Sequence, residues 1–299
     1  MTAVAPVMQT SQKRALLFGL AAVGLWSTVA TAFKIALDYL SPLHLLFLAA
    51  GTSTLIFLSL LVWQRRVRET LLLGRRRWLF YSLQGALNPF IYYWVLFAAY
   101  DRLPAQQAQA INYTWAITMA LLAVPLLKQR LSVRELSAML IAYGGVVLIA
   151  TGGQWDFQQT NWLGIGLALL STLLWASYWL INTKNTDPPI PAMFWCFAFG
   201  SVFLAIAVAL DPRPLPWFEW RAWAAAGYVG VFEMGVTFLL WLTAMRTAEK
   251  TSQLSMLIFL SPFLSLVLIY FILDEVIQVT TLIGLSLICL GLYLQRKPK

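Results

Sequence analysis

The sequence predicts an all-α integral membrane protein in which ten transmembrane helices form two inverted repeats of five helices. Three observations support this fold class. Of 299 residues, 60% are hydrophobic and 11% are charged, with a mean hydropathy of +0.73, whereas about a quarter of a soluble domain is charged. Apolar runs of membrane-spanning length recur along the whole chain, and the second half repeats the pattern of the first.

Ten apolar runs follow one another with short connections. A transmembrane helix needs about 20 apolar residues to cross roughly 30 Å of hydrocarbon, and each run approaches or exceeds that length. The predicted spans are residues 15–37, 42–63, 77–100, 104–127, 132–151, 162–182, 190–210, 222–245, 249–272 and 277–295. The connections leave no room for a separate soluble domain. We expect the first repeat to occupy residues 13–151 and the second repeat residues 160–297.

The net charge of +9 lies mainly on one side of the predicted bundle. If the N-terminus is cytoplasmic, all but four of the 21 Lys and Arg residues fall in cytoplasmic segments, the exceptions being Lys34, Arg102, Arg213 and Arg221. This asymmetry follows the positive-inside rule and predicts that both termini are cytoplasmic. The basic charge therefore indicates topology in a lipid bilayer, and we expect no nucleic-acid partner.

The cysteines and the single histidine do not indicate a metal site. Cys196 and Cys289 lie within predicted spans, and His44 lies at the start of the second span. One histidine and two separated cysteines cannot form a zinc site of the usual kind, so we expect no metal and no cofactor. An intramembrane enzyme would need a nucleophile paired with a base at bilayer depth. We find no such pair and expect no catalytic residues.

A shift of 146 positions aligns spans three to five with spans eight to ten without a gap. It places Gln107 on Gln253 and Gly145 on Gly291, and these matches carry more weight than the many apolar ones. Spans one and six correspond at a shift of 149. An odd number of spans per repeat turns the second repeat upside down in the membrane. Many secondary transporters are built in this way, with a substrate site near the midplane.

Glu233 lies deep within the eighth predicted span. An ionisable group at that depth costs on the order of 2.5 kcal/mol or more on insertion scales, so by default it faces a cavity and serves a function. It lies 12 positions after Arg221 and 13 before Arg246, roughly 18 Å from either along a helix. Glu233 is either a protonated acid that bonds to a neighbouring helix or a cavity residue that binds a substrate amine or a proton.

Span three carries a polar face. Tyr81, Gln84, Asn88 and Tyr92 recur at intervals of 3, 4 and 4, which places them on one side of a helix. Under the repeat shift, Asn88 falls at about the depth of Glu233. The face either lines a cavity or joins helices through hydrogen bonds.

Two further groups complete the expected site. Span four presents Gln109 and Tyr113, and the repeat shift brings Ser255 to the position of Gln109. In span six, an aromatic cluster could stack a substrate ring, although intramembrane tryptophans also face lipid or fill space. The expected substrate-binding residues are Gln84, Asn88, Tyr92, Gln109, Tyr113, Trp175, Tyr178, Trp179, Glu233 and Ser255.

Three prolines lie beyond the first turn of a predicted span, at Pro89, Pro125 and Pro262. Proline lacks a backbone donor and bends a helix. We expect these residues either to act as hinges when one bundle rocks against the other or to form static kinks.

Three segments resemble the ten-helix EamA-repeat branch of the drug/metabolite transporter superfamily. They are GLWSTVATAFKIAL (24–37), PLLKQRLSVRELSAMLIAYGGVVLIA (125–150) and YFILDEVIQVTTLIGLSLICLGLYL (270–294). The usual turn of the family reads roughly Gly-Glu-Arg-Leu-Ser. Here the first copy, residues 128–132, lacks the acid, whereas the second copy has Asp274 and Glu275. The density of Trp, Tyr, Gln and Asn within the spans is most similar to the YddG-type exporters of aromatic amino acids.

This resemblance implies a secondary transporter that exports aromatic and other hydrophobic amino acids by alternating access, through a central cavity lined by both repeats. It implies a multi-pass protein of the bacterial inner membrane, a monomer or weak oligomer, with a proton as a candidate coupling ion. Drugs or other small metabolites remain alternative cargoes. Phosphorylated cargo is disfavoured, because it calls for Lys or Arg in the cavity. Of the Lys and Arg residues, only Lys34 lies more than two residues inside the end of a predicted span.

Overall fold

The computed structural model describes residues 11–127, 132–153, 160–182, 185–248, 257 and 260–295, and within these residues the chain is all-α. The α-helices are α1 (Gln12–Leu37), α2 (Pro42–Trp63), α3 (Val67–Gly85), α4 (Tyr92–Arg102), α5 (Ala105–Asn112), α6 (Trp115–Leu127), α7 (Val133–Thr151), α8 (Trp162–Asn182), α9 (Pro189–Leu210), α10 (Trp220–Tyr228), α11 (Thr237–Thr247), α12 (Leu260–Leu273) and α13 (Val279–Gln295). Two π-helical segments, π1 (Ala86–Ile91) and π2 (Val229–Val236), join α3 to α4 and α10 to α11.

Five stretches of helix are long and apolar enough to cross a membrane by length and composition. They are Gln12–Leu37, Pro42–Trp63, Trp162–Asn182, Pro189–Leu210 and Trp220–Trp241. Three shorter apolar helices are Leu136–Thr151, Leu260–Leu273 and Val279–Leu294. These helices confirm the prediction of an all-α membrane protein.

The third and fourth predicted spans are broken. Span three begins earlier than predicted, at Val67, and bends at Arg77 (φ −123°, ψ 25°), so that residues 67–76 precede the apolar part. A second break follows at Asn88, whose backbone is extended (φ −146°, ψ 119°). Span four divides between Asn112 and Trp115 into α5 and α6. Hydropathy is insensitive to such breaks, because it measures composition and not backbone geometry.

The last helices of the two repeats, α7 and α13, pack against each other through small residues. A Cβ atom on Gly145 would lie 2.4 Å from the carbonyl oxygen of Gly284, and a Cβ atom on Gly291 would lie 2.5 Å from that of Ala138. The shift of 146 positions carries Ala138 to Gly284 and Gly145 to Gly291. The shift therefore maps each residue of one contact onto a residue of the other contact, as expected when a twofold axis relates two inverted repeats.

The other helix contacts between the repeats also occur in equivalent pairs. The first span of the chain, α1, packs against α11 and α12, which belong to the third and fourth spans of the second repeat. Its counterpart α8 packs against α4 and α6, which belong to the third and fourth spans of the first repeat. Helices α2 and α9 pack against each other. Each repeat thus contributes its first helix to the other, and the two enclose a common centre.

The third span of each repeat contains a π-helical segment. The two segments lie at about the same depth, because the shift of 146 positions carries residues 86–91 to 232–237. Each segment is approached by the second helix of the opposite repeat, π1 by α9 and π2 by α2. The approach at π2 is close, because a Cβ atom on Gly230 would lie 2.5 Å from the carbonyl oxygen of Ala49. π-Helical bulges occur frequently at functional sites.

Candidate functional site

A cavity of about 140 Å³ lies between the two repeats. Helices α1, α4, α5, α6, α8 and α11 line it together with π2. Its aromatic wall includes Trp26, Phe33, Tyr92, Trp175, Phe238 and Trp241. Its polar groups include Gln109, Asn112, Tyr113 and Glu233, and no Lys, Arg or His is among the described residues that line it.

Glu233 lies in π2 and faces this cavity. The hydroxyl of Tyr93, a fully buried residue, donates a hydrogen bond to Oε1 of Glu233 over 3.0 Å. The other oxygen, Oε2, is buried and has no hydrogen-bond partner within the described part of the chain. The Trp26 indole lies close to the carboxyl group without a hydrogen bond of normal geometry. A buried acceptor without a partner is costly, so a donor that reached Oε2 would remove this cost.

The backbone around Glu233 is held by two hydroxyl groups. In a π-helical segment some carbonyl groups lose their usual α-helical partner. Here Ser53 of α2 donates to the carbonyl oxygen of Gly230 over 2.8 Å, and the Thr237 hydroxyl donates to that of Phe232. The Ser53 bond joins π2 to the opposite repeat, whereas the Thr237 bond lies within the same span and holds the turn that carries Glu233.

Trp175 of α8 is the centre of the aromatic wall. Tyr92 stacks on one side of its indole, with ring centroids 4.6 Å apart and an interplanar angle of 26°. Tyr178 also stacks on it, at 5.7 Å and 22°. Trp179 and Phe238 meet it edge-on, at 5.7 and 6.1 Å. Offset stacking and edge-to-face packing are the arrangements that aromatic rings prefer. These rings therefore form one packed cluster, and Tyr92, Trp175, Trp179 and Phe238 of this cluster reach the cavity lining.

None of the expected substrate-binding residues lies on the side of the cavity that α1 and α11 form. Trp26 lies 5.4 Å from Trp241 and 6.4 Å from Phe238, measured between ring centroids. Trp26 falls on Trp175 when spans one and six are aligned at the shift of 149. This correspondence was the signal that could have placed Trp26 in the cavity lining.

Six of the expected substrate-binding residues line the cavity together, namely Tyr92, Gln109, Tyr113, Trp175, Trp179 and Glu233. The other described ones lie outside the lining. Gln84 is buried and accepts a hydrogen bond from Asn182 over 3.0 Å. Asn88 is buried, and neither atom of its amide group has a partner within the described residues. Tyr178 lies behind Trp175, and Ser255 is outside the described residues.

The three prolines occupy different environments. Pro89 lies in π1 against α9, where a Cβ atom on Gly200 would come within 2.6 Å of its ring. Pro262 is buried near the start of the described part of α12, whereas Pro125 is exposed near the end of α6. Only the first of them coincides with a break in the described helices.

Comparison with known proteins decides the family. A sequence model of the EamA-like transporter family matches residues 13–151 and 162–295. The chain belongs to the EamA-like transporter family. As a member of a transporter family it acts on a small-molecule substrate within a lipid bilayer, and the predicted resemblance is confirmed.

Individual relatives of this EamA-like transporter are distant. An uncharacterised transporter of Archaeoglobus fulgidus is 24% identical over 275 residues, which cover 90% of this chain and 93% of that protein. The aromatic amino acid exporter YddG of Ancylobacter novellus is 23% identical over 272 residues, covering 87% and 88%. A protein of known crystal structure aligns with a TM-score of 0.67 at 22% identity, covering 95% and 96%, which supports the fold alone.

One end of the EamA-like bundle is closed by polar contacts between the repeats. Glu275, in the connection between α12 and α13, accepts a hydrogen bond from the backbone N–H of Ala105, the first residue of α5, over 2.9 Å. The Gln106 side chain donates to the carbonyl oxygen of Val276 over 3.0 Å and accepts from the N–H of Gln278 over 3.2 Å. A carboxylate is stabilised at a helix N-terminus, so Glu275 tethers this connection to α5.

Lys34 makes a second closing contact at the same end of the EamA-like fold. Its ammonium group donates to the carbonyl oxygens of Tyr100 (2.8 Å) and Leu103 (3.0 Å), where α4 ends. A cation at a helix C-terminus satisfies carbonyl groups that lack helical partners. Lys34 therefore joins α1 to α4 and does not reach the cavity lining. Within the described residues, no group of three His, Cys, Asp and Glu side chains is arranged to hold a metal ion.

Proposed function

We propose that this EamA-like transporter exports aromatic and other hydrophobic amino acids from the cytoplasm by alternating access. The observation that carries the proposal is that Glu233, whose Oε2 has no described partner, and the aromatic residue Trp175 line one cavity between the repeats. A carboxylate is a strong partner for a substrate ammonium group, and the wall supplies a surface on which a substrate ring can stack. The distant similarity to an aromatic amino acid exporter supports this choice.

The substrate carboxylate would be held by neutral groups. Gln109, Asn112 and Tyr113 line the cavity with amide and hydroxyl donors. Asn112 is oriented by a hydrogen bond of 3.0 Å to the hydroxyl of Ser171 in α8. In this proposal Glu233 selects the amine, the amides select the carboxylate, and Trp175 with Tyr92 and Trp179 selects the ring.

Transport of a tryptophan-sized solute would require the cavity to grow. Small-molecule pockets usually enclose about 300 Å³ or more, and this cavity measures about 140 Å³. We propose that the two repeats, residues 13–151 and 160–297, rock against each other around the cavity. Pro89 would be a hinge in this motion, since it lies where span three is broken, with Pro125 and Pro262 as further bending points. The unit that moves is proposed to be a monomer or a weak oligomer.

The proton is the proposed coupling ion. Glu233 would bind either the substrate amine or a proton, but not both, and this competition is sufficient to exchange one for the other across the membrane. The positive-inside asymmetry supports a topology with both termini in the cytoplasm, and the proposed location is the bacterial inner membrane. No residue of the site is assigned a catalytic role.

A second candidate cargo is a hydrophobic cation without a carboxylate, such as an aromatic amine or a cationic drug. It is favoured by the absence of Lys, Arg and His from the described cavity lining, because a zwitterion would leave its carboxylate without a charged partner. Aromatic faces also attract cations directly.

Efflux from proteoliposomes separates these candidates. Vesicles with the purified protein are loaded with labelled tryptophan, phenylalanine, threonine, tryptamine or a cationic drug and assayed with and without a pH gradient. Amino acid export predicts that tryptophan and phenylalanine leave faster than threonine and respond to the gradient. If tryptamine and the drug leave while no amino acid does, the second candidate holds. Efflux no faster than from protein-free vesicles for every compound would contradict transport of both classes.

A further inference from the structure

Six arginines and one glutamate lie within the connection from α2 to α3 and the first part of α3. Two of the arginines are paired. Arg66 donates two hydrogen bonds of 2.9 and 2.8 Å to Glu69, and these bonds lower the pKa of Glu69, so this pair stays charged and mutually satisfied. Arg77 donates to Asn185 and Asp187, and its guanidinium lies 4.3 Å from the centre of the Phe80 ring.

The other four arginines are exposed and have no ion pair with any described residue. They are Arg65, Arg68, Arg75 and Arg76. Arg68 and Arg75 are seven residues apart, which is close to two helical turns, so they lie on the same side of the helix. We call these four residues the arginine patch. Four unpaired positive charges within residues 65–76 repel one another unless anions are bound between them.

The helix that carries the arginine patch is fixed to the bundle by its opposite face. The indole N–H of Trp195 in α9 donates to the carbonyl oxygen of Thr70 over 2.7 Å. The same indole covers Gly74, where even a Cβ atom would clash with it. Thr70 and Gly74 are both buried. Residues 67–76 are therefore docked rigidly, and their outer side is left facing away from the protein.

Apolar side chains accompany the arginines on this outer side. Leu71 and Leu72 are 54% and 61% exposed, and the neighbouring Trp63 and Trp78 are 79% and 57% exposed. The bend at Arg77 separates this segment from the apolar part of span three. Exposed leucine and tryptophan beside arginine are typical of a helix at the boundary between headgroups and acyl chains.

We propose that residues 65–76 form a binding surface for the headgroups of anionic phospholipids, with the arginine patch holding phosphates and Leu71 and Leu72 inserted among the acyl chains. The guanidinium group is a planar fork of donors that matches the geometry of a phosphate. Clusters of basic residues next to a transmembrane helix attract anionic lipid in just this way. Because the helix is already docked, its backbone does not have to be ordered when the patch binds lipid.

The test uses the full chain in mixed micelles of phosphatidylglycerol and phosphatidylcholine, and native mass spectrometry measures how much of each lipid stays bound. The wild type is expected to retain phosphatidylglycerol preferentially, less so as the salt concentration rises. The double variant Arg68→Gln with Arg75→Gln is expected to lower that preference about tenfold. The double variant Arg68→Lys with Arg75→Lys is expected to keep most of it, since the charge is retained.

The matched control removes two exposed arginines from the opposite end of the bundle, Arg213→Gln with Arg221→Gln. Arg213 follows the C-terminal end of α9, whereas Trp195 lies near its beginning. This variant is expected to bind lipid like the wild type. A thermal unfolding curve in phosphatidylcholine alone confirms that each variant is folded.

Three results would overturn the proposal. The first is that the double variant Arg68→Gln with Arg75→Gln retains phosphatidylglycerol like the wild type. The second is that the control variant loses as much phosphatidylglycerol as this double variant. The third is that millimolar inorganic phosphate displaces the lipid, in which case the arginine patch is an anion site and not a membrane surface.

Discussion

At the scale of single residues, Tyr93 decides which way the carboxyl group of Glu233 points. Its ring is packed against Tyr92 and Phe97, at centroid distances of 4.6 and 5.6 Å, so the hydroxyl group that reaches Glu233 has little freedom. With Oε1 engaged, Oε2 is the oxygen left without a partner. A site whose acid is held by a packed neighbour is preorganised for its ligand.

Tyr93→Phe is expected to raise the KM for substrate about tenfold while the protein stays folded. The variant keeps the ring and removes only a hydrogen bond to a charged or polar acceptor, worth about 1.5–3 kcal/mol. Initial rates of efflux from proteoliposomes at several internal substrate concentrations measure the change. An unchanged KM would show that Tyr93 only fills space.

The sequence pointed to Glu233 but not to Tyr93, and the reason is local backbone geometry. The intervals of 3, 4 and 4 assume an unbroken α-helix from Tyr81 to Tyr92. The extended backbone at Asn88 and the π1 segment change the phase of the helix before Tyr92 is reached. As a result Gln84 bonds to Asn182, away from the cavity, whereas Tyr92 and Tyr93 both turn inward.

At the scale of elements, two adjacent glycines of α7 differ in how close they lie to α13. A Cβ atom on Gly145 would lie 2.4 Å from a carbonyl oxygen of α13, whereas one on Gly144 would meet nothing within 4 Å. Small residues let helices approach closely enough for many van der Waals contacts in a membrane, where no hydrophobic force drives them together.

Gly145→Ala is expected to lower the free energy of unfolding by about 1–3 kcal/mol, because α7 and α13 must move apart. Gly144→Ala is the matched control and should be neutral or slightly stabilising, since alanine favours a helix over glycine by about 0.5–1 kcal/mol. Thermal or denaturant unfolding in detergent measures both. Equal stability of the two variants would mean that α7 and α13 do not pack at this point.

The connection from α12 to α13 is a second element with a defined role. Glu275 and Gln106 tie it to the start of α5, which leads into the cavity. The sequence singled out Asp274 and Glu275 as the acids that the family places at this turn, but only the structure separates them. Glu275 bonds across the repeats, whereas Asp274 occupies the left-handed region of the backbone, with φ 53°.

Glu275→Gln is expected to open this end of the bundle more often. A membrane-impermeant maleimide should then label a cysteine introduced at Asn112 several times faster, in a background with Cys196 and Cys289 replaced by alanine. The expectation rests on a charge-assisted hydrogen bond that a neutral amide weakens. Asp274→Asn is the control, because asparagine tolerates the left-handed conformation equally well. Equal labelling in both variants would contradict the role of Glu275.

At the scale of the whole molecule, composition and the repeat predicted an all-α membrane protein with two repeats. The pairs Gly145 with Gly291 and Trp26 with Trp175 marked equivalent places in those repeats before any geometry was known. What they could not reveal is that α1 and α8 pack into the opposite repeats, because a one-dimensional alignment contains no contacts between its halves. The cavity depends on that exchange, and so Phe33 on its α1 side could not be predicted from the sequence.

The central claim is that the cavity between the repeats transports its substrate through Glu233. The most direct measurement is efflux from proteoliposomes for the wild type, Glu233→Gln and Glu219→Gln, with and without a pH gradient. A glutamine at position 233 still accepts the hydrogen bond from Tyr93, and Glu219 is a half-buried acid that caps the start of α10, just before the same predicted span. We expect Glu233→Gln to slow efflux at least about tenfold and to abolish its response to the gradient, with Glu219→Gln like the wild type. Efflux by Glu233→Gln at the normal rate, with its pH response intact, would contradict the claim.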